Sequence, residues 1–242
     1  MSTVLQHYAT HLGPIYLWMA GGFERAIEMG RSDLNALGVP VRAGMKVLDL
    51  GAGFGMHAVP LAQAGCSVSA VDSSGLLLQE LTLHSQGLSI KVAEGDLLDF
   101  RRHVDVPQSL VLCMGDTLTH IQSHDEVTHL FEEIAKILVP DGVFALTYRN
   151  YMTPASGVGR FILVRSDDTR IHTCFLEEGR THMEVHDIVH ERNGDAWRME
   201  VSSYNKLRLD PEWVLNALRK AGMTPQASLG PRGMVQVVAR VA

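Results

Sequence analysis

The 242-residue sequence has few of the features that mark secreted, membrane or disulfide-bonded proteins. Its three cysteines, Cys66, Cys113 and Cys174, lie far apart in apolar surroundings, which excludes a disulfide framework and a CxxC metal motif. The opening segment MSTVLQHYATHLG lacks the basic start and apolar run of a signal peptide. No apolar run is long enough to cross a bilayer. We therefore expect a cytoplasmic protein with no membrane partner.

Positive charge is also scarce. Lys and Arg number 21 against 27 Asp and Glu, which gives a formal net charge of −6, and no cluster of basic residues stands out. Such a surface repels phosphate backbones, so we expect no nucleic-acid partner. Internal repeats, low-complexity tracts and linkers rich in Pro, Gly or Ser are absent as well, and the length suits a single domain.

Short apolar runs alternate with helical patterns in the first 150 residues, which predicts a parallel sheet covered by helices on both faces. The S-x-x-E spacing of Ser123 and Glu126 predicts a helix start, and Pro140-Asp141-Gly142 the end of that helix. Asp210 before Pro211 predicts the start of the last helix. The predicted strands of this part are 47–50, 68–71, 90–92, 110–113, 143–148 and, at the end of the chain, 234–241.

Between residues 160 and 209 the pattern changes to successive strands joined by polar turns. Alternation is clearest where Met183, Val185 and Val189 are apolar, while the other face carries the polar residues His182, Glu184, His186 and His190. The predicted fold class is therefore α/β: a doubly wound, seven-stranded, mostly parallel sheet with an antiparallel β-meander inserted before the last helix. The predicted meander strands are 160–164, 170–176, 181–190 and 197–207.

A glycine loop follows the first predicted strand, in the stretch MKVLDLGAGFGMHAVPLAQAGCSVSAVDSS. Gly51 and Gly53 match the first two glycines of the dinucleotide fingerprint, but Met56 occupies the third position. Asp72 ends the second strand, 21 positions after Gly51, where a carboxylate can accept both hydroxyls of a ribose. Asp49 suits a positively charged group, because a carboxylate at the strand end would repel a pyrophosphate.

Asp49 to Gly55 resembles the D/E-x-G-x-G-x-G signature of class I S-adenosylmethionine-dependent methyltransferases, and the resemblance extends over most of the chain. It implies a Rossmann-like methyltransferase fold with S-adenosyl-L-methionine as cofactor. A tight turn without a ligand and an NAD site are the alternatives. Trp18 is a further candidate for cofactor binding, with its ring over the sulfonium. The resemblance implies these other cofactor-binding residues: Asp49, Gly51, Ala52, Gly53, Gly55, Asp72, Ser73, Asp96, Leu97 and Met114.

The segment after the fourth strand reads Met114-Gly115-Asp116-Thr117, unlike the N/D-P-P-Y motif of adenine and glutamine N-methyltransferases, and the Pro-Cys nucleophile of cytosine-C5 enzymes is missing. The inserted meander is instead similar to that of small-molecule N-methyltransferases acting on glycine or amino-sugars. By this resemblance the single domain, 1–242, divides into an N-terminal helical lid (1–40), a cofactor-binding core (41–150), the inserted meander (160–209) and the last helix with terminal strands (210–242).

Methyl transfer from a sulfonium depends mainly on alignment of the two partners, which supplies roughly 7–11 kcal/mol. An amine or phenol acceptor also needs a base, for which His120 is the first candidate. Asp116, Tyr148 and Arg149 lie at similar strand ends and are predicted to orient polar substrate groups.

No metal site is predicted from the many histidines. His182, His186 and His190 share one face of a strand, but four residues of strand span about 13 Å, too far for a shared ion. Only a cross-strand partner such as His172 could complete such a site.

The sequence thus predicts a methyltransferase that acts on N or O of a small metabolite. A catalytically inactive S-adenosylmethionine-binding regulatory protein and an RNA methyltransferase are the alternatives. The acceptor, its reacting atom and the oligomeric state are left open.

Overall fold

The computed structural model describes residues 3–153 and 155–241. Seven of its strands form one sheet in the order β10-β11-β5-β4-β1-β2-β3, where the strands are β1 (Lys46–Leu50), β2 (Ser67–Asp72), β3 (Ile90–Glu94), β4 (Gln108–Cys113), β5 (Leu138–Tyr148), β6 (Phe161–Ser166), β7 (Arg170–Glu178), β8 (His182–Asn193), β9 (Ala196–Leu207), β10 (Met223–Leu229) and β11 (Val235–Val241). All pairings are parallel except those of β11, which runs antiparallel to both neighbours. The predicted doubly wound, mostly parallel sheet is confirmed.

Helices cover both faces of this sheet. The α-helices that the structure describes are α1 (Val4–His7), α2 (Tyr16–Met19), α3 (Phe23–Ala36), α4 (Ala58–Gln63), α5 (Gly75–His84), α6 (His124–Ile137) and α7 (Pro211–Lys220). Helices α6 and α7 pack on one face and α3, α4 and α5 on the other. Leu48 and Val47 are fully buried in opposite cores. Burial on both faces explains why the central strands are apolar throughout.

The predicted helix signals are largely confirmed. Ser123 Oγ accepts the N–H of Glu126 at 3.2 Å, and Asp210 Oδ1 accepts the N–H of Trp213 at 3.0 Å, so both caps are formed. The predicted stop at Pro140-Asp141-Gly142 needs correction, because α6 already ends at Ile137 and the triplet lies in the irregular first part of β5. Among the described residues, no helix is both long and apolar enough to span a bilayer.

Strands β6 to β9 form a separate antiparallel sheet in chain order, as the meander prediction requires. One face of this sheet, called here the inner face, carries the buried residues of β8: Met183, Val185, Asp187 and Val189. The N-terminal segment covers it, with Val4 against one apolar cluster and Leu12 and Ile15 against another. The inner face therefore lies between the sheet and the first turns of the chain.

Candidate active site

The glycine loop between β1 and α4 leaves an opening above the sheet edge. Gly51 and Gly53 have φ values of 74° and 53°, a region that favours glycine. A Cβ on Gly51 would come within 2.4 Å of the Thr117 side chain, whereas one on Gly53 would meet nothing closer than 3.7 Å. Gly51 is therefore required for packing, and Gly53 brings bare backbone to open space.

Asp72 fastens this loop to the end of β2. Its carboxylate accepts the N–H of Gly53 and the N–H of Ser74, each at 2.8 Å. Burial raises the pKa of Asp72. Each carboxylate oxygen has a second lone pair, so Asp72 can still accept hydrogen bonds from a ligand in the cavity it borders.

A cavity of about 800 Å³ opens at this edge of the sheet, within the size range of small-molecule sites. Four predicted cofactor-binding residues are not among those that line it, and their contacts with the cofactor stay predictions: Asp49, Ala52, Gly55 and Met114. The predicted residues that do line it are Gly51, Gly53, Asp72, Ser73, Asp96, Leu97 and His120.

Asp49 is a buried carboxylate with an unsatisfied oxygen. The residue is 1% exposed, and its Oδ2 has no hydrogen-bond partner among the described residues. Burial raises the pKa of Asp49 to about 6. Because an unpaired buried carboxylate is costly, this oxygen fits a positively charged ligand group that approaches through the glycine loop.

His120 borders the cavity on the side away from Asp72. It ends a 3₁₀ turn, Thr117–His120, and its ring stacks on Tyr204 with centroids 5.5 Å apart. Nε2 lies 3.4 Å from the hydroxyl of Tyr8, and Nδ1 has no partner among the described residues. Burial, with a smaller contribution from the charge of Lys206, lowers the pKa of His120 to about 3. The imidazole is therefore neutral at physiological pH.

Two tyrosines of the N-terminal segment complete this side of the cavity. Tyr8 and Tyr16 both line it, and their ring centroids are 5.8 Å apart. Burial raises the pKa of both phenols, so both are neutral hydrogen-bonding groups. Both belong to the predicted lid, 1–40, but no sequence spacing links them to the glycine loop, so the sequence does not mark them as site residues.

The carboxylate of Asp116, predicted to orient substrate groups, contacts other side chains and backbone of the protein. Its carboxylate accepts the N–H of Arg149 at 2.9 Å and the hydroxyl of Tyr151 at 3.1 Å, and it forms an ion pair with the buried Lys206. Burial lowers the pKa of Lys206, but the charge of Asp116 more than reverses this, so the ammonium stays charged. This pair ties the end of β4 to β9, and Asp116 does not line the cavity.

Three other predicted site residues also lie outside the cavity lining. Tyr148 is fully buried in the core under α6 and α7, because its side chain points away from the cavity. The Arg149 side chain is about half exposed, with its Nε 4.0 Å from Asp116, and it does not line the cavity. Trp18 donates to Asp167 and stacks under the guanidinium of Arg165, so it contacts the meander and not the cofactor cavity.

The three histidines on the other face of β8 do not converge. His182 Nε2 lies 3.0 Å from the carbonyl oxygen of Gln122, and His186 Nε2 lies 3.2 Å from a carboxylate oxygen of Glu177. His190 Nδ1 has no partner among the described residues. A cross-strand cluster around His172 forms on the inner face instead.

Comparison with known proteins identifies the central segment. Residues 47–142 match the family described as methyltransferase domain. A glycine/sarcosine N-methyltransferase from Aphanothece halophytica is 31% identical over 110 residues, which are 44% of this chain and 41% of the relative. The chain therefore spans about two fifths of the length of this curated relative, and 42% of another from Halorhodospira halochloris.

The likeness of fold extends much further. The CcbJ methyltransferase from Streptomyces caelestis superposes with a TM-score of 0.77 at 20% identity, over 97% of this chain and 98% of that one. An amino pentose methyltransferase from Micromonospora echinaspora has a TM-score of 0.75 at 16% identity, over 96% and 97%. Residues 47–142 thus match the methyltransferase-domain family, and the described chain shares the fold of these solved methyltransferases.

Proposed function

We propose that the chain transfers a methyl group from S-adenosylmethionine to an amino nitrogen of a small molecule. The observation that carries the proposal is the cavity between Gly53 and His120, bordered by Asp72 within the segment that matches a methyltransferase domain. The relatives named as glycine or sarcosine N-methyltransferases support nitrogen over oxygen as the acceptor atom.

The residues present fit the cofactor. Asp72 would accept hydrogen bonds from the ribose hydroxyls, and Asp96 with Leu97 would border the adenine. Asp49, whose Oδ2 has no partner among the described residues, would compensate the positive charge of the amino-acid group. When bound, S-adenosylmethionine supplies a methyl group activated by the sulfonium charge. Gly51 and Gly53 allow the backbone to approach the cofactor closely.

On the acceptor side, the chain offers neutral groups that orient an amine. His120 Nδ1 lacks a partner in the described structure and can accept an N–H from the substrate. The hydroxyls of Tyr8 and Tyr16 can donate to its polar groups. Holding the amine with its lone pair toward the methyl group is the main catalytic contribution we assign to these residues.

The charge of the cavity narrows the class of acceptor. None of the described residues that line it is Lys or Arg. Four are acidic: Asp72, Glu94 and Asp96 on the cofactor side, and Glu126 beyond it. A carboxylate on the acceptor would meet repulsion and no cation. We therefore propose an amine without a neighbouring carboxylate, in contrast to the glycine named for the relatives.

We further propose that residues 1–40 act as the predicted lid and that 41–150 is the cofactor-binding unit. Thr3, Val4 and Leu5 line the cavity beside Tyr8 and Tyr16, so movement of this segment would open the acceptor side while leaving Asp72 in place. Such gating by a terminal segment is common where water must be excluded from the reaction.

Two measurements test the proposal. Calorimetry with S-adenosylhomocysteine tests the cofactor site, and absence of binding at millimolar ligand would refute the proposal as a whole. Mass spectrometry of methylated products then compares glycine with glycinamide, a pair that differs by the carboxylate charge, and adds amino-sugars. We expect glycinamide and amino-sugars to be methylated in preference to glycine. Binding without methylation of any amine would favour a regulatory protein, and preference for glycine would refute the acceptor class. Asp210→Asn changes the cap of α7, which does not line the cavity. As the control, this variant should bind and methylate as the wild type does.

A further inference from the structure

A second cluster of chemically active side chains lies on the inner face of the antiparallel sheet. His172 Nε2 is 2.7 Å and Cys174 Sγ is 2.8 Å from Asp187 Oδ1, and the nitrogen and sulfur are 3.8 Å apart. Cys174 and Asp187 are register partners across β7 and β8, and His172 lies two residues from Cys174 on the same face. Three different donor atoms therefore meet at one point.

The cluster is supported from the N-terminal segment. His7 is fully buried; its Nε2 lies 2.9 Å from Asp187 Oδ2 and its Nδ1 lies 2.7 Å from the hydroxyl of Ser202. The carboxylate oxygen that faces away from His172 and Cys174 is thus already held. Ligating carboxylates in metal sites are typically held by outer hydrogen bonds of this kind.

We propose that His172 Nε2, Cys174 Sγ and Asp187 Oδ1 bind one Zn²⁺ ion. With metal–ligand distances of about 2.0–2.3 Å, the ligand atoms of a tetrahedral zinc site lie about 3.3–3.8 Å apart. The distance between His172 Nε2 and Cys174 Sγ already lies in this range. The distances from these two atoms to Asp187 Oδ1 need to increase by less than about 1 Å, which rotation of the carboxylate can supply. A mixed nitrogen, sulfur and oxygen set favours zinc over calcium or magnesium, which prefer oxygen alone.

Charge balance supports a divalent ion. On binding, the thiol proton of Cys174 leaves to solvent and a thiolate–zinc bond forms, so that one thiolate and one carboxylate neutralise the two positive charges. The fourth position remains for water. Cys174 is only partly buried, which provides a path for the ion.

The inferred role is to hold the acceptor side of the cavity in place. Asp187 connects the ion to His7, and the ring of His7 packs at a tilt against Tyr204 with centroids 4.2 Å apart. Tyr204 in turn stacks on His120. The ion would thus stabilise the attachment of the N-terminal segment to the meander, without contact with the reacting atoms. This inference stands independently of the proposed methyl transfer.

The test uses the full chain without an affinity tag of histidines, stripped of metal with a chelator. Zn²⁺ titration by calorimetry should give one site, and Co²⁺ should give the absorption band of a cobalt–thiolate bond. Cys174→Ser keeps a hydrogen-bond donor for Asp187, so the fold is retained while the cobalt–thiolate band disappears and zinc affinity falls by more than about 100-fold, beyond the loss typical of an outer partner. His7→Gln should lower the affinity by about 10- to 100-fold.

Two control variants locate the ion. Cys66→Ser removes another thiol, and His186→Gln breaks the exposed Glu177, Glu184 and His186 cluster on the opposite face of the same sheet; both should bind Zn²⁺ as the wild type does. Zn²⁺ should also raise the melting temperature of the wild type but not of Cys174→Ser. Absence of Zn²⁺ and Co²⁺ binding by the wild type, a thiolate band that persists in Cys174→Ser, or loss of binding in His186→Gln would each overturn the proposal.

Discussion

Replacement of His120 distinguishes an orienting group from a general base. The pKa of His120 is lowered to about 3 by burial, whereas an unperturbed alkylamine such as lysine has a pKa of about 10.4. At about 1.36 kcal/mol per unit, moving a proton from such an ammonium to His120 is unfavourable by about 10 kcal/mol. General-base catalysis typically contributes about 10²- to 10⁴-fold, or 3–5 kcal/mol. For the proposed function we therefore expect the acceptor to bind as a free amine, with His120 as a hydrogen-bond acceptor.

The expected losses follow from that role. His120→Gln keeps a neutral hydrogen-bonding side chain and should lower kcat/KM by about tenfold or less, the worth of one neutral hydrogen bond. His120→Leu leaves the amine N–H unpaired, at a cost of about 1–3 kcal/mol, and should lower kcat/KM by about 5- to 150-fold. His129→Gln, at an exposed position of α6, should have no effect.

The pH dependence of kcat/KM decides whether His120 takes a proton from the substrate. With an acceptor amine of known pKa and saturating S-adenosylmethionine, kcat/KM of the wild type for the amine should rise with pH to the pKa of the amine. It should show no separate inflection near 6.5, because His120 is neutral throughout that range. His120→Gln should give the same profile at a lower level. A rising limb near pH 6–7 that disappears in His120→Gln, or a loss above about 10³-fold, would show that His120 takes the proton and would refute this reasoning.

Three further predictions concern the cofactor side and the buried ion pair. Asp72→Asn should weaken S-adenosylhomocysteine binding by about 10- to 150-fold, the worth of charge-assisted hydrogen bonds. In calorimetry it should barely affect an analogue without ribose hydroxyls, and an equal loss for both ligands would indicate a purely structural role. Because the pKa of Asp49 is about 6, its carboxyl becomes neutral below that pH; S-adenosylhomocysteine affinity should fall as the pH drops from 8 to 5, and Asp49→Asn should remove that dependence. Lys206→Met removes the ammonium from the buried carboxylate of Asp116, which keeps its hydrogen bonds from the Arg149 N–H and the Tyr151 hydroxyl. The change should cost about 3–5 kcal/mol in urea unfolding, while a loss below about 1 kcal/mol would refute the importance of the pair.

The parallel core was predictable because its signals are local. Strand, glycine loop, helix and second strand follow one another in about 30 residues, so the spacing alone brings Asp72 to Gly53. The position of Tyr148 at a strand end does not tell to which face of the sheet its side chain points. The side chain packs toward α6 and α7, whereas the neighbouring Thr147 accepts the N–H of Gly115 at 2.8 Å. The position of Trp18 depends on contacts with the meander almost 150 residues later.

The cluster on the inner face has a signal in the sequence. In β8 the buried positions are Met183, Val185, Asp187 and Val189, so Asp187 is the charged residue in an otherwise apolar alternation. A carboxylate at a core position requires partners, and the alternation of β7 presents His172 and Cys174 on one face. What the sequence could not supply was His7, whose contact with Asp187 spans 180 residues.

The two sides of the cavity differ in how they are built, and this has a consequence for the evolution of specificity. The cofactor side comes from nearby loops between residues 51 and 98, held by backbone hydrogen bonds to Asp72. The acceptor side comes from three distant segments that meet at Tyr204, through ring contacts with His7 and His120. Because the acceptor contacts share few atoms with the glycine loop, substitutions around Tyr204 should change the acceptor with little effect on cofactor affinity. A change of acceptor among related chains would then appear first in the N-terminal segment and the meander.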